Sequence, residues 1–277
     1  MARRARVDAE LVRRGLARSR EHATELISAG RVLIGGTVAT KPATALEVGT
    51  ALRVTEVSDE VSWASRGAHK LIGALDAFGE RGLTVDGARC LDAGASTGGF
   101  TDVVLDRGAR EVVAVDVGYG QLVWRLRTDD RVTVLDRTNV RNIDADTIGG
   151  PVDLIVADLS FISLSLVLPA FAACSRPGTD IVPMVKPQFE VGKDRVGAGG
   201  VVRDPELRAE VVLEVARAAQ ALGLVTAGVE PSPLPGPSGN VEYFLWLRVP
   251  GGGENDPKFE SHDVEQLVTD AVRKGPR

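Results

Sequence analysis

Cysteine, histidine and long apolar runs are all scarce in this chain, and each scarcity removes a class of function. The 277 residues hold two cysteines and three histidines. Cys90 and Cys174 form neither a CxxC pair nor a metal-ligand spacing, so no metal site is expected. Both sit among apolar neighbours, which reads as buried thiols in a reducing, cytoplasmic compartment. The most apolar stretch, residues 161–174, is shorter than the roughly 20 residues a membrane helix needs, and Pro169 interrupts it. The N-terminus is basic from the start and has no apolar core, so it does not read as a secretory signal.

What is present is enough apolar residue, 44%, to build a core, and a charge distribution that the net of −5 conceals. Residues 1–57 hold 10 Lys+Arg against 6 Asp+Glu, whereas the remainder holds 23 against 32. A small basic head on an acidic body points to a local anionic partner. The head reads as helices over 7–15 and 19–30, with Ser19 as N-cap of the second, followed by short strands at 31–34, 37–40 and 51–54. Arg13 and Arg14 read as a solvated helix face. Residues 58–65 read as a linker. Beyond a helix over 66–78, apolar strands at 89–92, 111–116, 132–135, 152–157, 181–185, 224–229 and 243–249 alternate with helical stretches. That rhythm predicts an α/β domain over 66–250 with a parallel, seven-stranded, Rossmann-like sheet buried on both faces. Residues 251–277 read as a polar tail with a terminal helix within 259–274.

The segment 91–100, LDAGASTGGF, could open three different enzymes. Its Gly-x-Ser-x-Gly fits a serine-hydrolase elbow, but that chemistry needs a later acid and histidine, and only His262 follows Ser96, in the polar tail. The nucleotide-binding readings share a strand, a Gly-rich turn and a helix, with Gly94, Ser96 and Gly98 in the turn. Asp116 ends the next strand 22 residues after Gly94, where an acid can hold ribose hydroxyls. Asp92, at the end of the first strand, would repel a pyrophosphate but suit the ammonium of S-adenosylmethionine, which favours that ligand over NAD.

Three charged residues from distant segments then fall at the mouths of this sheet: Asp158 in VADLSFIS, Lys186 in PMVKPQFE and Glu242 in GNVEYFLWL. A fourth, Lys70 in SRGAHKL, sits on the helix before the sheet. Asp158 and Lys186 interrupt otherwise apolar strand ends, and charges there need partners.

Together SRGAHKL, LDAGASTGGFTDVVL, DLSFIS, VKPQFE and PLPGPSGNVEYFLWL resemble the TlyA (haemolysin A-like) family of ribosomal RNA cytidine-2′-O-methyltransferases, whose methyltransferase body is of the FtsJ/RrmJ type. The head, residues 1–57, resembles the family's S-four type (alpha-L) RNA-binding domain, a small α+β fold. The resemblance implies a Lys-Asp-Lys-Glu tetrad at Lys70, Asp158, Lys186 and Glu242. It implies S-adenosylmethionine contacts at Gly94, Ser96, Asp116, Asp158 and Asp136, the last accepting from the adenine amino group. It also implies cytidine targets in both ribosomal subunits, and sensitivity to capreomycin-type antibiotics. Of the family's Arg-x-Trp-Val linker motif, only Trp63 is kept.

In the mechanism expected here, Lys186 takes the proton of a ribose 2′-hydroxyl. Burial and the neighbouring cation favour the neutral amine this requires, while the carboxylates oppose it and orient it. Phe161 is placed to stack on a flipped-out base. Arg3, Arg4, Arg6, Arg18, Arg20 and Lys41, with Arg66 at the domain junction, are the expected phosphate contacts of a ribosomal RNA substrate. No DNA partner is expected. The rival readings are a membrane-active haemolysin, for which the sequence offers neither a span nor a strong amphipathic hairpin, and an RNA-binding module without catalysis, which the complete tetrad opposes.

Overall fold

The contrast between the basic head and the acidic body carries into the computed structural model, which divides into two units, Met1–Ser62 and Trp63–Arg277. The structure describes residues 4–28, 30–47, 49–55, 63–192, 194–251 and 263–275. Arg3, linker residues 58–62 and His262 lie outside the described residues.

In the first unit β1 (Arg4–Arg6) leads into α1 (Val7–Arg13) and α2 (Arg20–Ser28), and then into β2 (Val32–Ile34), β3 (Thr37–Val38), β4 (Ala45–Glu47) and β5 (Leu52–Val54). Ser19 Oγ accepts from the His22 backbone N–H at 3.1 Å, as the N-cap of α2 should. The apolar faces of the two helices meet Val32 and Leu46 in one core, with Val7, Leu11, Ala23, Leu26 and Ile27 buried. Strands β2, β3 and β5 form one antiparallel sheet, and β1 pairs with β4. The β1–β4 ribbon was not expected from the sequence, because three residues are too few to display an alternation.

The arginines of α1 correct one expectation. Arg13 and Arg14 do not simply face solvent; both pair with Glu10, at 2.6 and 2.7 Å, and the Glu10 side chain is 1% exposed. Asp8, also buried, takes Arg6 at 2.8 Å and Arg20 at 3.1 Å. Arg6 holds the Asp8 carboxyl down at about 2.

The second unit runs α3 (Gly67–Gly79), β6 (Arg89–Ala93), α4 (Gly99–Asp106), β7 (Glu111–Val115), α5 (Trp124–Arg127), β8 (Val132–Leu135), β9 (Val152–Ala157), α6 (Leu168–Cys174), β10 (Ser175–Val185), α7 (Pro187–Glu190), α8 (Pro205–Ala221), β11 (Val225–Pro231), β12 (Tyr243–Arg248) and α9 (Val264–Lys274). Its seven strands form one sheet in the order β11-β12-β10-β9-β6-β7-β8. Alternate residues go to opposite faces. Leu91, Val113 and Ile155 pack with Phe171 and Tyr243 on one side, and Cys90, Val112 and Leu154 with Phe78 and Phe244 on the other. Burying each such side chain contributes roughly 1.5–3 kcal/mol, so both faces are fixed by many small contributions.

The sheet is not wholly parallel. Strands β10, β9, β6, β7 and β8 are parallel, but β12 runs antiparallel to both β10 and β11. The reason lies in chain length: residues 232–242 separate β11 from β12, too short a stretch for the crossover of a dozen or more residues that a parallel return requires. Register then sets the site. Ala93 lies opposite Val115 and Ala157, and Val185 opposite Tyr243. Gly94, Asp116, Asp158 and Lys186 therefore leave their strands at the same edge where Glu242 enters β12.

Candidate active site

A cavity of about 450 Å³ opens at that edge and is lined by Lys70, Asp158, Lys186 and Glu242, with Gly94, Ser96, Ser160 and Arg66. The four charges group as two ion pairs. Lys70, one turn into α3, places Nζ 2.5 Å from Glu242 Oε2. Lys186 Nζ lies 2.5 Å from Asp158 Oδ1, off the hydrogen-bonding axis, and donates to Ser160 Oγ at 3.0 Å. Lys70, Lys186 and Glu242 are buried, at 7%, 8% and 1% exposure, so the lysines are held by partners rather than by water.

A second cavity, also about 450 Å³, adjoins the first. It shares Gly94, Ser96, Asp158 and Ser160 and adds Asp116, Val117, Gln121, Asn139, Phe161 and Ile162. Gly94 is required here: at φ +84 a Cβ would lie 2.7 Å from the Asp158 carbonyl oxygen. The glycine thus lets two strand ends approach and leaves bare backbone at the cavity wall. Asp116 accepts from the Ser96 N–H at 2.8 Å and the Gly118 N–H at 2.7 Å. Each carboxylate oxygen retains a lone pair for a further donor such as a ribose hydroxyl. This bare loop beside an acid on the next strand fits an adenosine-bearing ligand. Ser96 Oγ donates to Gln121 Oε1 at 3.4 Å, and among the described residues no histidine lines either cavity.

Three expected ligand contacts lie elsewhere. Asp136 pairs with Arg127 at 2.9 Å and lines neither cavity; at the end of the third strand it is Asn139 that reaches the wall. Gly98, at φ +102, is the left-handed N-cap of α4, and a Cβ there would lie 2.4 Å from Leu126 Cδ1, so it serves packing while Gly99 lines the first cavity. Asp92 is fully buried and accepts from Thr101 Oγ1 at 2.6 Å, leaving Oδ1 without a partner. Alternation along β6 turns Asp92 to the face of Cys90, toward α4, rather than to the cleft.

Burial pushes the Asp92 carboxyl up to about 7, against the Thr101 bond and helped by Asp158 and Asp116. The folded state then holds this proton over a range where the unfolded chain has lost it. The stabilising contribution is complete below about pH 4 and is lost as pH rises through 7, a change on the order of 4 kcal/mol at about 1.4 kcal/mol per unit. Asp92→Asn is expected to flatten the decline of unfolding free energy between pH 4 and 7. Denaturant titrations over that range check this, and an unchanged slope in the variant would assign the pH dependence to other groups.

Around the cleft, Phe161 is 89% exposed, with φ +64 and its ring 5.0 Å from that of Phe189. Arg66, exposed at the start of α3, lines the first cavity. Arg6, Arg18, Arg20 and Lys41 are exposed on the first unit, where Arg4 opens β1. Ser160, Gln121 and Asn139 were missed from sequence, because an uncharged polar residue in a loop carries no pattern. Among the described residues no cluster of metal-ligating side chains occurs, and no helix is long and apolar enough to cross a membrane.

Comparison with known proteins agrees with this geometry. The FtsJ-like methyltransferase family matches residues 63–249, and the S4 domain matches residues 5–52. The 16S/23S rRNA (cytidine-2′-O)-methyltransferase TlyA of Mycobacterium tuberculosis is 63% identical over 276 residues, 100% of each chain. Hemolysin A of Brachyspira hyodysenteriae is 35% identical over 86% of this chain and 98% of its own. A solved Streptococcus thermophilus structure, described as a hemolysin candidate, superposes with a TM-score of 0.70 at 36% identity, covering 99% of this chain and 97% of that one. With a methyltransferase match over most of its length and a full-length relative at this identity, the chain belongs to the TlyA family of FtsJ-like methyltransferases that carry an S4 domain.

Proposed function

We propose that the chain transfers a methyl group from S-adenosylmethionine to the ribose 2′-oxygen of cytidine in ribosomal RNA of the small and large subunits. The observation that carries this reading is the convergence of Lys70, Asp158, Lys186 and Glu242 on one cavity beside Gly94 and Ser96. The name of the Mycobacterium tuberculosis relative supports the substrate.

When bound, S-adenosylmethionine would supply an electrophilic methyl on a sulfonium. Asp116 would hold its ribose hydroxyls, Gly94 and Ser96 would present backbone to it, and Asn139 would contribute to the adenine side of the pocket. Lys186 takes the proton from the 2′-hydroxyl, with Asp158 and Ser160 fixing the direction of its amine. Lys70, tied to Glu242, places a second positive charge beside Lys186. Holding the acceptor in line supplies several kcal/mol of barrier lowering. Phe161 stacks on the extruded base, and Arg66 meets the adjacent phosphate.

Arg6, Arg18, Arg20 and Lys41 form the phosphate-binding face of the S4 unit. Removing residues 1–57 is expected to weaken ribosomal RNA binding and to flatten its dependence on salt, since each lost phosphate contact lowers the log–log slope by about 0.7–0.9. Binding isotherms at several ionic strengths check this, and an undiminished affinity would move the RNA platform to the methyltransferase unit. The direct test of the function is mapping of ribose methylation on 30S and 50S subunits incubated with the protein and S-adenosylmethionine. New 2′-O-methylcytidine is the expected product, and its absence from both subunits overturns the reading. In a cell whose cytoplasmic ribosomes carry these marks, losing the gene is expected to raise tolerance to capreomycin-type antibiotics.

A further inference from the structure

Two loops that approach the reacting edge are joined by more than the Lys186 contacts. Lys186 touches Asp158 and Ser160, Phe189 carries the ring of Phe161, and Glu190 Oε2 and Oε1 accept from Ser163 Oγ at 2.6 Å and from the Leu164 N–H at 2.9 Å. Residues 186, 189 and 190 thus meet 158–160, 161 and 163–164 in order, like three rungs. Ser163 in turn caps the short 3-10 turn Leu164–Leu166 through the Ser165 N–H. Phe161 stands among them 89% exposed, in the left-handed region at φ +64. A bulky residue holds that backbone only where its surroundings over-determine it. The final rung does so from outside, because Glu190 lines neither cavity.

We infer that Glu190 is a positioning residue, which clamps the loop over residues 158–164 onto α7 and thereby fixes the projection of Phe161 toward the target nucleotide. This rests on the stacking role assigned to Phe161 above. The carboxylate is half-buried, and burial raises its protonation range, with the charge of Glu214 adding to the rise and the bonds from Ser163 and Leu164 opposing it. What the clamp needs is two contacts rather than a charge. Glutamine preserves both: its oxygen accepts from Leu164, and its amide donates to Ser163 Oγ, whose own proton can turn to Ser165 Oγ, 2.7 Å away. Alanine preserves neither.

The test is a double-mutant cycle on the full-length protein, using Glu190→Ala, Glu190→Gln, Phe161→Ala and the Phe161→Ala/Glu190→Ala pair. It reads KM for ribosomal RNA, kcat, and RNA affinity by fluorescence anisotropy. Glu190→Ala is expected to raise RNA KM and Kd about tenfold, and Glu190→Gln to stay within about threefold of the parent. In the Phe161→Ala background the alanine change should add less than about twofold, as coupled neighbours do. Equal effects in both backgrounds, an unchanged KM in Glu190→Ala, or a glutamine variant as impaired as the alanine one would each overturn the clamp while leaving the stacking role standing. A silent Phe161→Ala would instead remove the stacking role, and the clamp's proposed route with it. If Glu190→Ala fails to fold, Ser163→Ala carries the same cycle, with a smaller rise in KM expected and an additive result again overturning the inference.

Discussion

Lys186→Ala is expected to fold, to bind S-adenosylmethionine, and to lose methyl transfer by about 10²–10⁴-fold, the usual worth of a positioned proton acceptor. Lys186 is only 8% exposed, and its amine lines the first cavity, donating to Ser160 at 3.0 Å and lying 2.5 Å from Asp158. Truncation leaves Asp158 without its cation. The Asp158 side chain is 27% exposed, however, and water can replace the missing partner, so the stability loss should be small beside the kinetic one. Lys186→Arg sharpens the test. Guanidinium keeps the charge and does not give up its proton in proteins, so it cannot accept one. An arginine variant as inactive as the alanine one identifies lysine as a base, whereas an active arginine variant reduces it to an electrostatic group. Radiolabelled methyl incorporation into ribosomal subunits, with calorimetric titration of the cofactor alongside, separates these outcomes.

Glu242→Ala should damage the fold itself. Lys70 Nζ and Glu242 Oε2 are 2.5 Å apart, with side chains 9% and 1% exposed, and removing one partner leaves the other charge largely buried and unpaired. Breaking such a pair costs about 3–5 kcal/mol. Replacing both residues with apolar ones of similar size, Lys70→Met with Glu242→Leu, is expected to recover most of that stability, as paired replacements do elsewhere. If the two residues serve only the fold, the double variant will also recover methyl transfer. If they serve the chemistry as proposed, it will be stable and inactive. Chemical denaturation with a parallel activity assay reads both, and a double variant as unstable as Glu242→Ala would place the destabilisation outside the ion pair.

The catalytic edge was legible in proportion to how sharply each residue broke its surroundings. Asp158 and Lys186 stand at the ends of the apolar strands β9 and β10, where a charge is conspicuous. Lys70 lies on a helix, where lysines are ordinary, and Glu242 precedes a strand rather than following it, so neither stands out alone, and the family resemblance is what makes the four a tetrad. Asp92 was misplaced because its distance from the Gly-rich turn was read without the alternation of β6, which turns it toward Thr101. Asn139 was invisible, since a polar residue that caps a 3-10 turn looks like any loop residue. In the first unit, α1 and α2 follow from their apolar faces and the Ser19 cap, while β1 and β4 are too short to leave a pattern.

Because β12 runs against its neighbours, the stretch at 232–242 hangs over the reacting edge, and the exit of the strand at Arg248 leaves by the opposite side. Residues added ahead of Tyr243 would crowd the mouth of the first cavity, which Pro237 and Glu242 already line. A tag or fused partner spliced in after Arg248 would emerge behind the sheet and leave that opening as it was.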